Sequence, residues 1–280
     1  MEKLEIKTPC KINLGLKVIK KRADGYHDIE TVFYPINLYD KLNIESSNSL
    51  TFNSNNSQIK SEDNNSVLTA VKKLEELTGR NLNVKIFLEK NIPIGAGLGG
   101  GSSDGAAVLK GLNKFFNLGL TEEELKRLAL EIGSDTPFFI DPKTCFAESR
   151  GEVLKPIDFK IEYPILIVNP GIHVSTKWAY ESLSLQTGME NHLDYKCLLS
   201  KDWREIRNQI TNDFEVPVFK KHPEIKSIKQ KLYESGALFS LMTGSGSTVF
   251  GIFSDISLAK KAGLEFTKSY FTFIHSNELT

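Results

Sequence analysis

A glycine-rich stretch, IPIGAGLGGGSSDGAAVLKGLNKFF from Ile92 to Phe116, offers the clearest chemistry in this sequence of 280 residues. Six glycines fall between Gly95 and Gly105, with Ser102, Ser103 and Asp104 among them. From Ala106 the apolar residues Ala106, Leu109, Leu112 and Phe116 recur at helical spacing. The pattern predicts a glycine loop that opens into a helix capped by serine. Glycines let the backbone approach a ligand closely, and the first amides of a helix have no partner inside it. With the positive end of the helix dipole, they make a phosphate site. Gly95, Gly97 and Gly100 also satisfy the dinucleotide pattern GxGxxG, but no acidic residue ends a strand about twenty positions later. Thr121 and Glu124 instead form a capping box opening TEEELKRLALEI. A P-loop is excluded because no Gly-Lys-Ser/Thr follows the glycines. On the loop alone, a flexible turn and a triphosphate cradle of another design both stay open.

Two charged residues complete the set. Ile12, Leu14, Leu16 and Val18 alternate, which predicts a half-buried strand with Lys11, Asn13 and Gly15 on its opposite face. Asp135 follows the helix that ends at Gly133, with Pro137 fixing the chain after it. By position alone, Lys11 reads as a solvated strand lysine and Asp135 as a turn aspartate. Near a phosphate loop they acquire a use. Phosphorylating an alcohol needs a carboxylate to orient or deprotonate the hydroxyl and a cation to offset charge on the transferring phosphoryl.

The elements that must position these groups follow from periodicity. Asp24-Gly25 marks a turn before the strand IETVFYPI, and LNVKIFLEK alternates on its way into the glycine loop. Leu68, Val71, Leu74 and Leu77 define a helix closed by Gly79. Residues 46–66 are rich in Ser and Asn and read as a polar hairpin region, with Leu50, Phe52 and Ile59 as possible edge-strand positions. Helices over a mostly antiparallel sheet result. After Pro156, the strand YPILIVNP, the loop GIHVSTKWAYESL, the helix around Ile225, Ile228 and Leu232, the glycine cluster MTGSGSTVFGIF, and a closing helix and strand predict a strand-helix-strand-helix-strand succession.

Composition adds limits. Lysine and arginine number 35, as do aspartate and glutamate, so no polyanion or membrane partner is indicated. No apolar run is long enough for a signal core or a membrane span. Cys10, Cys145 and Cys197 are odd in number and scattered, the usage of reduced thiols in a cytoplasmic protein.

Four blocks, PCKINLGLKVIKKRADGYH, PIGAGLGGGSSDGAAVL, GSDTPFF and MTGSGSTVF, together resemble the GHMP small-molecule kinases across essentially the whole chain. The pairing of K-x-N-L with R-x-D-G-Y-H points within that family to members acting on 4-diphosphocytidyl-2-C-methyl-D-erythritol. Where the family usually has Pro-Ala-Lys, this chain has Pro9-Cys10-Lys11. The resemblance implies an α+β chain with a ribosomal S5 domain 2-like ATP-binding domain over residues 1–156 and a ferredoxin-like domain over 157–280. It implies Lys11 and Asp135 as the catalytic pair. Pro93, Ile94, Gly95, Ala96, Gly97, Leu98, Gly99, Gly100, Gly101, Ser102 and Ser103 would form the ATP phosphate loop. For the substrate it implies Asn13 beside Lys11, Tyr26 stacking on cytosine, His27 reading the base edge, Thr176 and Tyr180 across the base, and Gly244 and Ser245 near the diphosphate. ATP and Mg2+, the latter with no protein ligand named, would be required. The chain would act as a monomer or weak homodimer. Other GHMP kinases, such as homoserine or mevalonate kinase, are the alternative; Tyr26 and His27 argue against them, because a substrate without a base needs no such clamp.

Overall fold

The computed structural model describes residues 3–59, 65–184, 192–200 and 202–276. Contacts divide the chain into two compact units, one of Met1–Cys10, Leu38–Ile94 and Gly99–Pro142, the other of Lys11–Asn37, Gly95–Leu98 and Lys143–Thr280. Two long strands, β1 (Lys3–Lys21) and β2 (His27–Ser46), contribute residues to both.

In the first unit, β3 (Thr51–Ser54) and β4 (Val84–Glu89) join the C-terminal part of β2. β4 runs antiparallel to β2 and parallel to β3. The Ser/Asn-rich stretch is therefore an edge strand rather than a hairpin, as far as it is described; residues 60–64 of it lie outside the described residues. A parallel neighbour needs a crossover, and α1 (Ser66–Thr78) supplies it, capped by Asn65 and closed by Gly79 in the left-handed conformation. α2 (Gly100–Phe115) and α3 (Glu122–Ile132) pack with α1. The capping box of Thr121 and Glu124 forms as its spacing predicts. α2 lies directly on the sheet because a Cβ at Gly111 would come 2.6 Å from Ile6 Cδ1. A 3-10 turn, Thr136–Ile140, follows α3 with its five side chains buried.

In the second unit, β5 (Cys145–Glu148) pairs with the first part of β2, and β6 (Val153–Pro156) pairs with β5. β1 is buried on both faces from Cys10 to Val18, not on one as alternation predicts. The reason is specific: Lys11 and Asn13 are taken into a polar network, and Gly15 lies under Leu193 and Ile210. A separate antiparallel sheet has the order β10-β7-β9-β8, built from β7 (Ile165–Asn169), β8 (Phe239–Met242), β9 (Val249–Ile252) and β10 (Phe271–His275). α4 (Thr176–Glu181), α5 (Glu215–Lys221) and α6 (Pro223–Glu234) lie between β7 and β8, and α7 (Ile256–Leu264) between β9 and β10. The glycine cluster is thus a hairpin loop between two strands, so this half has four strands where the succession predicted three. Its order is that of a ferredoxin-like βαββαβ unit. Ile225, Ile228 and Leu232 face one core with Leu166, Val168, Phe214 and Phe253.

Candidate active site

The helix that follows the glycine loop begins earlier than its sequence predicts. Gly99 is the N-cap in the left-handed conformation, and no side chain caps the helix. Ser102 and Ser103 therefore lie inside the first turn rather than ahead of it. The helix ladder opens with Ser103 N–H donating to Gly99 O at 2.9 Å, which leaves the amides of Gly100, Gly101 and Ser102 outside that ladder. Ser103 Oγ is buried and finds no hydrogen-bond partner among the described residues. No acidic residue occupies the first turn. Donor amides, an unpaired hydroxyl and the positive end of a helix suit phosphate oxygens.

A buried ion triad, not foreseen from the sequence, sets this helix against the approach to the loop. Lys90 Nζ donates to Asp104 Oδ2 at 2.7 Å and to Asp40 Oδ2 at 2.5 Å. Asp40 Oδ1 accepts the amides of Asn91 and Ile92, at 2.6 and 2.7 Å, and Thr8 Oγ1 donates to Asp104 Oδ1 at 2.9 Å. Burial pushes the Asp104 carboxyl up to about 7 against the pull of Lys90. The signal was a lysine two residues before Ile92 and an aspartate two after Ser102, ordinary residues until the fold pairs them.

Asp135 stands at the head of the 3-10 turn, directly after the end of α3. That junction lies beside the start of α2: a Cβ at Gly133 would be 3.8 Å from Ser102 Oγ and 3.2 Å from Thr136 Oγ1. Thr136 Oγ1, like Ser103 Oγ, is buried without a partner among the described residues.

In the second unit, Lys11 is buried to 3 % exposure. Its Nζ donates to Asn13 Oδ1 at 2.6 Å and to Gly97 O at 3.2 Å, and lies 5.1 Å from the centre of the Phe33 ring. Asn13 is held on every side. Its Nδ2 donates to Thr31 Oγ1 at 2.9 Å, its N–H donates to Thr243 Oγ1 at 2.9 Å, and Thr31 Oγ1 donates to Gly15 O at 2.6 Å. Thr31 and Thr243 were absent from the sequence expectations; Thr243 sits in the second glycine cluster, the one hint available.

The two glycine clusters meet backbone to backbone. A Cβ at Gly97 would fall 2.2 Å from Thr243 O, and Gly97 has φ +77°. A Cβ at Gly244 would come 3.0 Å from Gly97 O. Asn212 Nδ2 donates to Met242 O and Gly244 O, fixing the second cluster, and Thr176 Oγ1 lies 3.0 Å from Ser245 Oγ.

His27 and Tyr180 also come together, but as a stacked pair with ring centres 4.6 Å apart and planes 13° from parallel. Burial, then the charge of Lys21, lowers the His27 pKa, which keeps the ring neutral near pH 7. Tyr26 stands apart at 51 % exposure, with the Arg150 guanidinium 4.4 Å from its ring centre.

Comparison with known proteins identifies the family. The family description "GHMP kinases N terminal domain" matches residues 65–141, and "GHMP kinases C terminal" matches residues 195–271. A 4-diphosphocytidyl-2-C-methyl-D-erythritol kinase of Thermodesulfovibrio yellowstonii is 41 % identical, with 95 % of each chain covered. A protein of the same name from Prosthecochloris aestuarii is 37 % identical over 96 % of each. A crystal structure of 4-(cytidine 5'-diphospho)-2C-methyl-D-erythritol kinase superposes with TM-score 0.84 at 32 % identity, covering 97 % of this chain and 98 % of that one. Homoserine kinase from Cytophaga hutchinsonii shares the fold alone, with TM-score 0.75 at 16 % identity, covering 99 % of this chain and 95 % of that one. The chain belongs to the GHMP kinases and, among them, to the 4-diphosphocytidyl-2-C-methyl-D-erythritol kinase family.

Proposed function

We propose that this kinase transfers the γ-phosphoryl group of ATP to the 2-hydroxyl of 4-diphosphocytidyl-2-C-methyl-D-erythritol, giving the 2-phosphate and ADP in the non-mevalonate route to isoprenoids. The observation that carries this reading is the full-length likeness to relatives of that name. Asp135 accepts the proton of the attacking hydroxyl, and Lys11, fixed by Asn13, offsets charge on the transferring phosphoryl. Pro93 to Ser103 receive the ATP phosphates. Tyr26 and His27 take the cytosine, with Thr176 and Tyr180 beside it and Gly244 and Ser245 near the diphosphate. Asn13 reaches substrate only through what its network leaves over, so its larger part is to hold Lys11.

Mg2+ would enter with ATP and neutralise phosphate charge. A hard cation of this kind is commonly held by one or two protein oxygens, phosphates and water. The described residues contain no group of three or more acidic, His or Cys side chains able to hold a metal, and Asp40 and Asp104 are engaged by Lys90. Ser103 Oγ, buried in the first turn of α2, has no hydrogen-bond partner among the described residues.

We place the boundary between the two family domains at 156/157, and the matched segments 65–141 and 195–271 lie on either side of it. The enzyme would work in the cytoplasm as a monomer or weak homodimer. Among the described residues no helix is long and apolar enough to cross a membrane. Sedimentation would check the oligomeric state. The decisive assay is ADP release with the diphosphocytidyl substrate beside mevalonate, homoserine and galactose. Turnover with the first alone is expected; turnover with another would retain phosphotransfer and discard the assigned substrate.

A further inference from the structure

Tyr26 sits in a turn whose geometry is held from outside. Arg22 N–H donates to Tyr26 O at 2.8 Å, and Tyr26 N–H donates to Asp24 Oδ1 at 3.1 Å. Arg22 Nη1 then donates to Asp28 Oδ1 at 2.8 Å and to Ser149 Oγ at 2.9 Å, and Ile29 N–H donates to Ser149 O at 2.6 Å. The turn between β1 and β2 is thus laced to the turn between β5 and β6. Ser149 is itself one of two described non-glycine residues with positive φ, at 62°. A conformation that L residues rarely adopt persists when surrounding bonds over-determine it. Here they do: Ser149 Oγ donates to Glu152 Oε1 at 3.0 Å, and the next amide, Arg150 N–H, donates to Glu152 Oε2 at 2.7 Å. The outcome is that the Arg150 side chain, 20 % exposed, lies over one face of Tyr26 while that ring stays half exposed.

We propose that Arg150 is a positioning residue for the base site, bracing one face of the Tyr26 ring so that the other face meets a pyrimidine already oriented. The proposal rests on Tyr26 being a stacking platform for the cytosine. A guanidinium plane stacks on an aromatic ring and is attracted to its π-face. A ring fixed before the ligand arrives spares the complex the entropy of ordering it. The Arg22–Ser149–Glu152 lacing supplies the rigidity a lone surface cation–π contact lacks. Arg150 acts on binding through Tyr26 and takes no part in phosphoryl transfer.

The test is a double-mutant cycle on the full chain, with KM for the diphosphocytidyl substrate, KM for ATP and kcat measured for Tyr26→Ala, Arg150→Ala and the double variant, and thermal melting as a check on folding. Arg150→Ala is expected to raise KM for the diphosphocytidyl substrate about fivefold, leaving kcat and the ATP KM unchanged. Arg150→Lys, which keeps the cation and loses the plane, should recover part of it. In the Tyr26→Ala background the Arg150 effect should vanish. An undiminished effect there would overturn the proposal, because Arg150 would then act on substrate without the ring. So would an Arg150→Ala enzyme with unchanged KM when Tyr26→Ala raises it. If Tyr26→Ala itself changes nothing, the base-site assignment falls, and this inference with it.

Discussion

Asp135 and Lys11 differ in how the fold treats them, and their variants should differ accordingly. Asp135→Asn keeps the shape of the side chain and removes its basicity. It is expected to lower kcat by about 10²- to 10⁴-fold with melting temperature and ATP binding intact; near-normal turnover would remove Asp135 from its role. Lys11 instead owes its position to a neighbour. Asn13→Ala deletes the acceptor 2.6 Å from Nζ, and a catalytic group displaced by about 1 Å can cost roughly 10²-fold. Asn13→Ala should therefore lower kcat by about 10- to 100-fold with little change in the ATP KM. A rise in KM for the alcohol substrate at constant kcat would make Asn13 a substrate ligand instead. The sequence names Lys11, Asn13 and Asp135 as candidates but does not show the network joining the first two to Thr243, whose sequence separation from Asn13 is 230. Local periodicity carries no information at that range.

Elements whose signals are local were legible. The capping box at Thr121, the left-handed Gly79 that ends α1, and the alternation of β4 all appear as their spacing predicts. What failed did so for tertiary reasons. The start of α2 moved to Gly100 because Gly99 adopts the left-handed N-cap conformation, and β1 is covered on both faces by partners distant in sequence. The second glycine cluster lies against Gly97, a contact that no local spacing encodes. Gly97→Ala makes that contact measurable. Its methyl would lie 2.2 Å from Thr243 O, at a φ of +77°, so one loop must shift. A cost of about 1–3 kcal/mol is expected from the backbone conformation alone, read as a lower urea midpoint, with a weakened ATP KM. An unchanged midpoint and KM would show that the loops part freely.

At the scale of the whole molecule, one contribution to pH dependence should come from a buried histidine on β10. His275 Nδ1 accepts the Asn37 N–H at 3.1 Å, so the proton must sit on Nε2, which is buried without a partner among the described residues. Burial, with the charge of Lys160 adding to it, lowers the pKa to about 4 from 6.5. The sign follows from proton uptake. Between these values the unfolded chain binds a proton that the folded chain refuses, so stability is full above about 6.5 and is lost as pH falls toward 4. From pH 7.5 to 5 the loss should be about 2 kcal/mol. The buried Asp104, its carboxyl pushed up to about 7, acts with the opposite sign over the same range. The test is therefore the difference: from pH 7.5 to 5 the urea midpoint should move in the destabilising direction more in the parent than in His275→Phe, and equal shifts would remove His275 from the effect. Composition, at zero formal net charge, gave no sign of it. The fold class was legible because its motifs span the chain, whereas the contact units interleave through β1 and β2, which no linear reading of boundaries contains.

The stacked pair of His27 and Tyr180 has a spectroscopic consequence. A phenol ring lying 4.6 Å away and nearly parallel shields the imidazole carbon-bound protons by its ring current. The chain has five histidines, so a single His27→Gln sample suffices to assign the displaced resonance in a proton spectrum. A pyrimidine entering between the rings, or prising them apart, replaces one magnetic environment with another. The pair is thus an intrinsic, label-free reporter of whether the two rings stay together or part when the diphosphocytidyl substrate is added.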